Sequence, residues 1–328
     1  MNIVILDGKS TNPGDLSWAP LQTLGNVTVF DNLTDENEIV QKAESADAII
    51  LCRVPMSAKT ISSLPNLKYI GTLATGYNTI DLDAADKAGV AVCNVPFYCI
   101  ESVSQHVFAL LLALTNQVTV HSSYVMKNEW TQAVQKSSST LPILELAGKT
   151  LGIFGYGNIG SATAKIGEAF GMRILTYSRT KKNPPANYEQ TDMETLFKES
   201  DVISVHCPLT LETQGIIDYS LLSKMKKTAF LINTARGAVI NETDLANALN
   251  NGILAGAGLD VLSAEPPPAN HSLLSAENCI ITPHISWSSK DARSRLIDLV
   301  ADNLSSHFSG NTKNLVNNPS LQGLKNLY

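Results

Sequence analysis

Short apolar runs alternate with amphipathic stretches along almost the whole chain. Residues 3–6, 27–30, 48–51, 69–73 and 91–92 are aliphatic, rich in β-branched side chains and short, which predicts strands. Helix-period patterns lie between them, around 35–45, 58–63 and 81–88, with Gly89 placed to cap the last. From 102 to 114 the pattern is helical but apolar on several faces, which predicts a helix buried between layers or domains. Residues 115–146 are less periodic. Beyond Gly148 a second alternating series begins, with strands expected at 150–154, 173–177, 202–205, 229–233, 255–259 and 279–281. A final helical pattern carries Ala292, Leu296, Leu299, Val300 and Leu304 toward a polar tail. Alternation of this kind predicts parallel, doubly wound sheets with helices on both faces. Two such series predict two α/β domains, one of residues 1–98 with 287–328 and one of 99–286. The last helix is expected to return to the first domain.

The turn after residues 150–154 has an informative spacing. Gly155-Tyr-Gly-Asn-Ile-Gly160 forms a G-x-G-x-x-G array that follows an apolar strand and opens a helix pattern. The first glycine allows a tight turn, the second lets a pyrophosphate approach the backbone, and the third lets the helix pack close to the strand. A second strand follows at 173–177. This context predicts a dinucleotide site built from Gly155, Gly157, Asn158, Ile159 and Gly160, with the helix N-terminus aimed at the phosphates.

Composition narrows the partners. The 328 residues carry a net charge of -6 with no long run of one sign, so nothing marks a surface for nucleic acid or an anionic membrane. The longest apolar run, 107–114, is much too short to span a bilayer, and the first residues lack the pattern of a secretory signal. Five scattered cysteines without a C-x-x-C pair suggest reduced thiols and a cytoplasmic location. No histidine or cysteine spacing calls for a metal.

Four segments occur in order: Gly155 to Gly160, Asn233-Thr-Ala-Arg-Gly237, Leu259-Asp-Val-Leu-Ser-Ala-Glu-Pro266 and Thr282-Pro-His284. Together they resemble the D-isomer-specific 2-hydroxyacid dehydrogenase family, over about residues 47–310. Leu73-Ala-Thr-Gly-Tyr-Asn78, Ser104-Gln-His-Val-Phe108 and His284-Ile-Ser-Trp287 look most like its glycerate dehydrogenase (hydroxypyruvate reductase) members. The resemblance implies a Rossmann cofactor domain beside a flavodoxin-like substrate domain. It implies a homodimer built through residues 100–146, where Tyr124, Trp130 and Leu141 stand between polar patches. It implies an enzyme that interconverts a small 2-oxo acid and its D-2-hydroxy acid, such as hydroxypyruvate and D-glycerate or glyoxylate and glycolate. Two alternatives stand beside it: a dinucleotide-sensing, corepressor-like binding protein, and a 3-phosphoglycerate dehydrogenase without a regulatory domain.

The same resemblance implies three catalytic side chains. His284 would exchange a proton with the substrate oxygen, because imidazole titrates near working pH. Glu265 would bond the far ring nitrogen, fixing the tautomer and favouring the protonated ring. Arg236 would hold the substrate carboxylate with a guanidinium fork. Leu73, Ala74, Thr75 and Gly76 would bind that carboxylate through backbone amides, and Arg53 would reach the substrate from another strand end. Cys207 and Pro208 would line the adenine side of the cofactor, and Thr213 would be a further cofactor contact. Thr234, Ala235 and Asp260 would lie at the nicotinamide, with Asp260 binding its carboxamide. The other histidines are expected to be structural, with His106 a candidate interdomain contact.

One position departs from the family pattern. NAD-selective domains carry an acidic residue at the end of the second strand, but here the segment is Tyr177-Ser-Arg-Thr-Lys-Lys182. Ser178 and Thr180 can donate to a 2′-phosphate, Arg179 can pair with it, and Lys181 and Lys182 add positive charge. The expectation is a preference for NADP(H), with NAD(H) also accepted. The alternative is a solvated basic loop.

Overall fold

A computed structural model describes residues 1–132, 143–180 and 182–319, so Leu141 and Lys181 lie outside the described residues. The chain divides into two compact units, residues 1–99 with 288–328, and residues 100–287.

The first unit begins β1 (Asn2–Ile5), α1 (Gly8–Thr11), α2 (Ala19–Gln22), β2 (Asn26–Val29), α3 (Glu36–Lys42) and β3 (Ala48–Leu51). It continues through α4 (Ala58–Ser62), β4 (Tyr69–Thr72), α5 (Leu82–Ala88) and β5 (Ala91–Cys93). All five strands are parallel, in the order β2-β1-β3-β4-β5, the flavodoxin arrangement. Every residue of β3, β4 and β5 is buried, because helices cover both faces of a parallel sheet. The edge strand β2 is mostly exposed. Side-chain caps start the helices: Asp35 accepts from the amides of Asn37 and Glu38, and Asp81 from Ala84. Gly89 ends α5 in the left-handed conformation, φ 72°.

The second unit opens with α6 (Ile100–Asn116), α7 (Val118–Met126) and α8 (Glu129–Gln132). It then runs β6 (Thr150–Phe154), α9 (Asn158–Ala169), β7 (Arg173–Tyr177), β8 (Glu189–Gln190), α10 (Met193–Glu199) and β9 (Val202–Val205). α11 (Tyr219–Leu222), β10 (Phe230–Asn233), α12 (Glu242–Asn250), β11 (Gly256–Leu259) and β12 (Cys279–Ile281) complete it. Its seven strands are all parallel, in the order β12-β11-β10-β9-β6-β7-β8. This is the doubly wound order of a dinucleotide fold with one strand added. The helix expected at 102–114 is the core of α6, whose Val107, Leu110, Leu111 and Leu114 pack with strand residues Leu151, Ile153 and Ile232. Among the described residues no single helix is long and apolar enough to cross a membrane.

The last helix, α13 (Lys290–Phe308), belongs to the first unit. Its Asn303 side chain donates to the carbonyl of Asn94 (2.9 Å), and its His307 ring lies 5.2 Å from that of Tyr69. At its start Arg293 binds both carboxylate oxygens of Asp15 (2.8 Å each) and the carbonyls of Ser288 and Thr11. Sequence patterning did not expect α1, α2, α7, α8 or β8. α7 buries no residue and β8 is two exposed polar residues, so neither leaves an apolar periodicity to read.

The Arg293 hydrogen bond holds Asp15 below the usual carboxylate range. A carboxyl depressed in the folded state contributes stability above its unfolded value of 3.8 and loses it as pH falls through the lower folded value. Arg293→Gln is therefore expected to melt a few degrees below the parent at pH 7, with the gap narrowing as pH drops below about 4. A gap of equal size at pH 3 and pH 7, read by calorimetry, would assign the loss to packing alone.

Candidate functional site

The loops that leave the C-terminal ends of β6, β7, β9, β10, β11 and β12 carry the candidate groups of the second unit. The glycine loop is built as its spacing requires. Gly155 sits at φ 106°, and a Cβ there would lie 2.6 Å from the Cys207 amide nitrogen. A Cβ on Gly160 would lie 2.3 Å from the Gly155 carbonyl oxygen, so α9 can approach the turn only as glycine. At Gly157 a Cβ would meet nothing within 4 Å. Gly157 also caps α9 without a side-chain hydrogen bond, which leaves amides of the first turn for an anion in that open space.

Ser178, at the end of β7, accepts the Tyr156 amide on its Oγ (2.7 Å) and ties the glycine loop to the second strand. Arg179 next to it pairs with Glu212 at 3.3 Å, both well exposed, and Thr180 is exposed. Glu212 is held below the usual carboxylate range first by the Thr210 hydroxyl. Thr213 accepts from the Thr210 amide (2.7 Å) and donates to the Pro208 carbonyl (2.7 Å), closing the loop after β9. Burial pushes the Cys207 thiol up to about 11, so it presents a neutral wall rather than a nucleophile. The neighbouring His206 bonds Ser204 Oγ (2.8 Å), and desolvation pushes its ring down to about 3. It is a neutral, structural histidine at working pH.

After β10 the buried Asn233 folds the next turn. Its Oδ1 accepts the Ala235 amide (2.9 Å) and its Nδ2 donates to the Arg236 carbonyl (3.0 Å). Arg236 stands exposed on this turn, donating Nη1 to the Ala235 carbonyl (2.7 Å). Thr234 beside it has a buried hydroxyl with no hydrogen-bond partner, a polar group that a ligand would satisfy.

His284 and Glu265 meet directly. His284 Nδ1 lies 2.6 Å from Glu265 Oε2, with the two side chains 30% and 33% exposed. The other carboxylate oxygen of Glu265 accepts the Leu262 amide at 3.1 Å. Nε2 is therefore the ring nitrogen left for a substrate. His284 has φ 54°, a conformation that costs a non-glycine residue roughly 1–3 kcal/mol unless its surroundings impose it. They do. Its amide donates to the Asp260 carbonyl (2.8 Å), while the Asp260 carboxylate accepts from Thr282 Oγ1 (2.5 Å) and the amides of Ile285 (2.9 Å) and Ser286 (2.8 Å). Asp260 is 1% exposed, and its carboxylate bonds three donors of its own chain.

His106 Nε2 lies 3.0 Å from Thr282 Oγ1 and 3.5 Å from Asp260 Oδ1, both within the second unit. One turn earlier on α6, Ser102 donates to the Ser286 carbonyl (2.6 Å). Two side chains four residues apart on one helix face thus hold both sides of the His284 turn. Ser102, Asn233 and the task of His106 were not read from sequence.

In the first unit, Arg53 is exposed after β3, and Leu73 to Gly76 follow β4. The Asp7 carboxylate, 2% exposed, accepts the amides of Cys52 and Arg53 at 2.8 Å each and fixes that turn. Leu73 is fully buried. Thr72 Oγ1 donates to the Ala74 carbonyl (2.7 Å) and Thr75 Oγ1 to the Val95 carbonyl (3.0 Å). Both hydroxyls are thereby committed to shaping the turn.

The family model for the NAD-binding domain of D-isomer specific 2-hydroxyacid dehydrogenases matches residues 108–286. The chain is 42% identical, over 97% of its length and 100% of the relative's, to a hydroxypyruvate reductase of Blautia hydrogenotrophica. It is 37% identical to a glycerate dehydrogenase of Methylorubrum extorquens, over 88% of this chain and 90% of that one. Among solved structures, an acyclic imino acid reductase in complex with NADPH and D-Arg superposes with a TM-score of 0.84 at 30% identity, covering 96% of this chain and 100% of that one. The chain belongs to the D-isomer-specific 2-hydroxyacid dehydrogenases.

A D-2-hydroxyacid dehydrogenase is an oxidoreductase of the 2-oxo acid and D-2-hydroxy acid couple, and this chain carries the family's NAD-binding domain. The unfilled space at Gly157, the free first turn of α9 and the orphan hydroxyl of Thr234 all fit a dinucleotide. Gly155→Ala puts a methyl into left-handed backbone and onto Cys207. It is expected to weaken NAD(P)H binding at least about tenfold, or 1.4 kcal/mol, in a fluorescence titration. Unchanged affinity would mean the loop does not seat the dinucleotide.

Proposed function

We propose that the enzyme reduces hydroxypyruvate to D-glycerate, or glyoxylate to glycolate, with His284 as the proton donor. The contact that supports this reading best is the 2.6 Å pair of His284 Nδ1 and Glu265 Oε2, which leaves Nε2 free for the substrate oxygen. The near full-length similarity to a hydroxypyruvate reductase supports the choice of substrate. When bound, the reduced nicotinamide supplies a hydride to the carbonyl carbon. His284 Nε2–H gives its proton to the carbonyl oxygen, and Glu265 stabilises the imidazolium that precedes the transfer. Arg236 holds the substrate carboxylate and polarises the carbonyl. Thr75 and Gly76 offer it amides, Leu73 and Ala74 shape that turn, and Arg53 adds positive charge. The pyrophosphate is assigned to Gly157, Asn158 and Ile159, the adenine side to Cys207 and Pro208, and a further cofactor contact to Thr213. The nicotinamide is assigned to Thr234, Ala235 and Asp260, with Asp260 at its carboxamide and also shaping the His284 turn.

NADP(H) is the preferred cofactor in this reading. The supporting observation is the end of β7, where Ser178, Arg179 and Thr180 replace the acid that would repel a 2′-phosphate. A homodimer is assigned to residues 100–146. α7 buries nothing, and Val118, Val120, Val125, Met126 and Trp130 are all exposed, a surface that a second copy would cover. Sedimentation as a monomer at micromolar concentration would remove the dimer. The five free cysteines support a cytoplasmic location.

A panel of 2-oxo acids assayed with NADH and NADPH tests the substrate, and turnover confined to other acids would reject it. His284→Ala is expected to lose about 10²–10⁴-fold in kcat. Glu265→Gln removes the anionic partner of His284 Nδ1 and is expected to lower kcat at least about tenfold. A parent-like kcat would make Glu265 a structural loop residue. Arg179→Ala should raise KM for NADPH about tenfold or more and leave KM for NADH nearly unchanged, since a hydrogen bond to a charged group contributes about 1.5–3 kcal/mol. Equal effects on both cofactors would leave the basic loop as a solvated turn.

A further inference from the structure

We infer that Glu242 is a positioning residue for catalysis, acting through Glu265. The loop that carries Glu265 leaves β11 and returns at the 3-10 turn Ser272–Ser275. Glu265 itself is exposed, and within its loop only the Leu262 amide is seen to orient it. The two feet of the loop are held by one carboxylate. Glu242, the first residue of α12, accepts the Ser263 amide on Oε1 (2.7 Å), and Oε2 accepts the Ser263 hydroxyl and His271 Nε2 (3.0 Å). His271 Nδ1 accepts the Leu273 amide (3.3 Å), so the ring proton sits on Nε2 and is given to Glu242. The Glu242 and His271 side chains are only 11% and 12% exposed, which makes these bonds far less screened than surface ones.

The same stretch also carries Arg236. Between Arg236 and Glu242 runs the 3-10 turn Gly237–Val239, and a Cβ on Gly237 would lie 2.0 Å from the Leu262 carbonyl carbon and 2.3 Å from the Ser263 nitrogen. Backbone therefore touches backbone one residue after Arg236 and three residues before Glu265. The Glu242 clamp locks that contact from the far side. The Arg236 turn is held on its own side by Asn233, so the clamp adds the placement of the Glu265 loop against that fixed segment. Misplacing a catalytic group by about 1 Å can cost about 10²-fold, so a clamp remote from the substrate can govern the rate.

This inference rests on Glu265 acting through His284, and the test separates the two. Glu242→Ala, Glu265→Gln and the double variant are compared in the full chain by steady-state kinetics, with NAD(P)H affinity measured by fluorescence. Glu242→Ala is expected to lower kcat about 10–100-fold while the NAD(P)H dissociation constant changes less than about twofold. In the Glu265→Gln background the same change should cost less than about twofold, because the group it positions is already disabled. Multiplicative losses, a parent-like kcat, or an equal loss of cofactor affinity would each overturn the inference. Glu242→Gln keeps an acceptor for Ser263 and should lose less than the alanine variant. It also stands in for that variant if the alanine chain does not fold, and a parent-like kcat for it would then overturn the inference. If Glu265→Gln alone has full activity, it is the role of Glu265 that fails.

Discussion

The buried Asp260 carboxylate organises the turn that presents His284 in the second unit. It collects the Thr282 hydroxyl and the Ile285 and Ser286 amides, while its own carbonyl takes the His284 amide. Four hydrogen bonds from four consecutive or near-consecutive residues leave the backbone between them little choice, and they hold His284 at positive φ. An unpaired carboxylate at this depth would be costly, so the turn that satisfies it is favoured over any looser one. His106 and Ser102 brace the same turn from α6. The helix that closes the apolar layer over the sheet thus also supports the His284 turn.

Parallel topology explains why these groups gather. In both units the strands run the same way, so every loop after a strand emerges on one edge of its sheet. On that edge the chain repeats one device: a buried polar side chain folds the turn that presents an exposed one. Asn233 does this for Arg236, Asp260 for His284 and Asp7 for Arg53. The buried member determines where the exposed one stands.

Much of the fold was legible because strands covered on both faces read as unbroken apolar runs. Residues 48–51 and 150–154 are buried throughout, and the run length alone marks them. The glycine spacing was legible because each position has its own steric demand, and Gly155, Gly157 and Gly160 meet three different environments. α7 and β8 were not legible, since an element that buries nothing has no periodicity. The network behind the catalytic residues was hidden for another reason. Ser102, His106, Asn233 and Glu242 are ordinary polar residues whose partners lie from two to 184 residues away in sequence, and only folding names the partner. The Asx turn in Asn233-Thr-Ala-Arg was the one local signal available.

The central claim is that Glu265 takes the Nδ1 proton of His284 in a hydrogen bond and leaves Nε2 to the substrate. Long-range ¹H–¹⁵N correlation of the histidine rings, with His284 assigned by its loss in a His284→Asn variant, reads this directly. The account predicts a ring protonated on Nδ1, either as that neutral tautomer or as the imidazolium. A neutral His284 carrying its only proton on Nε2 would contradict it.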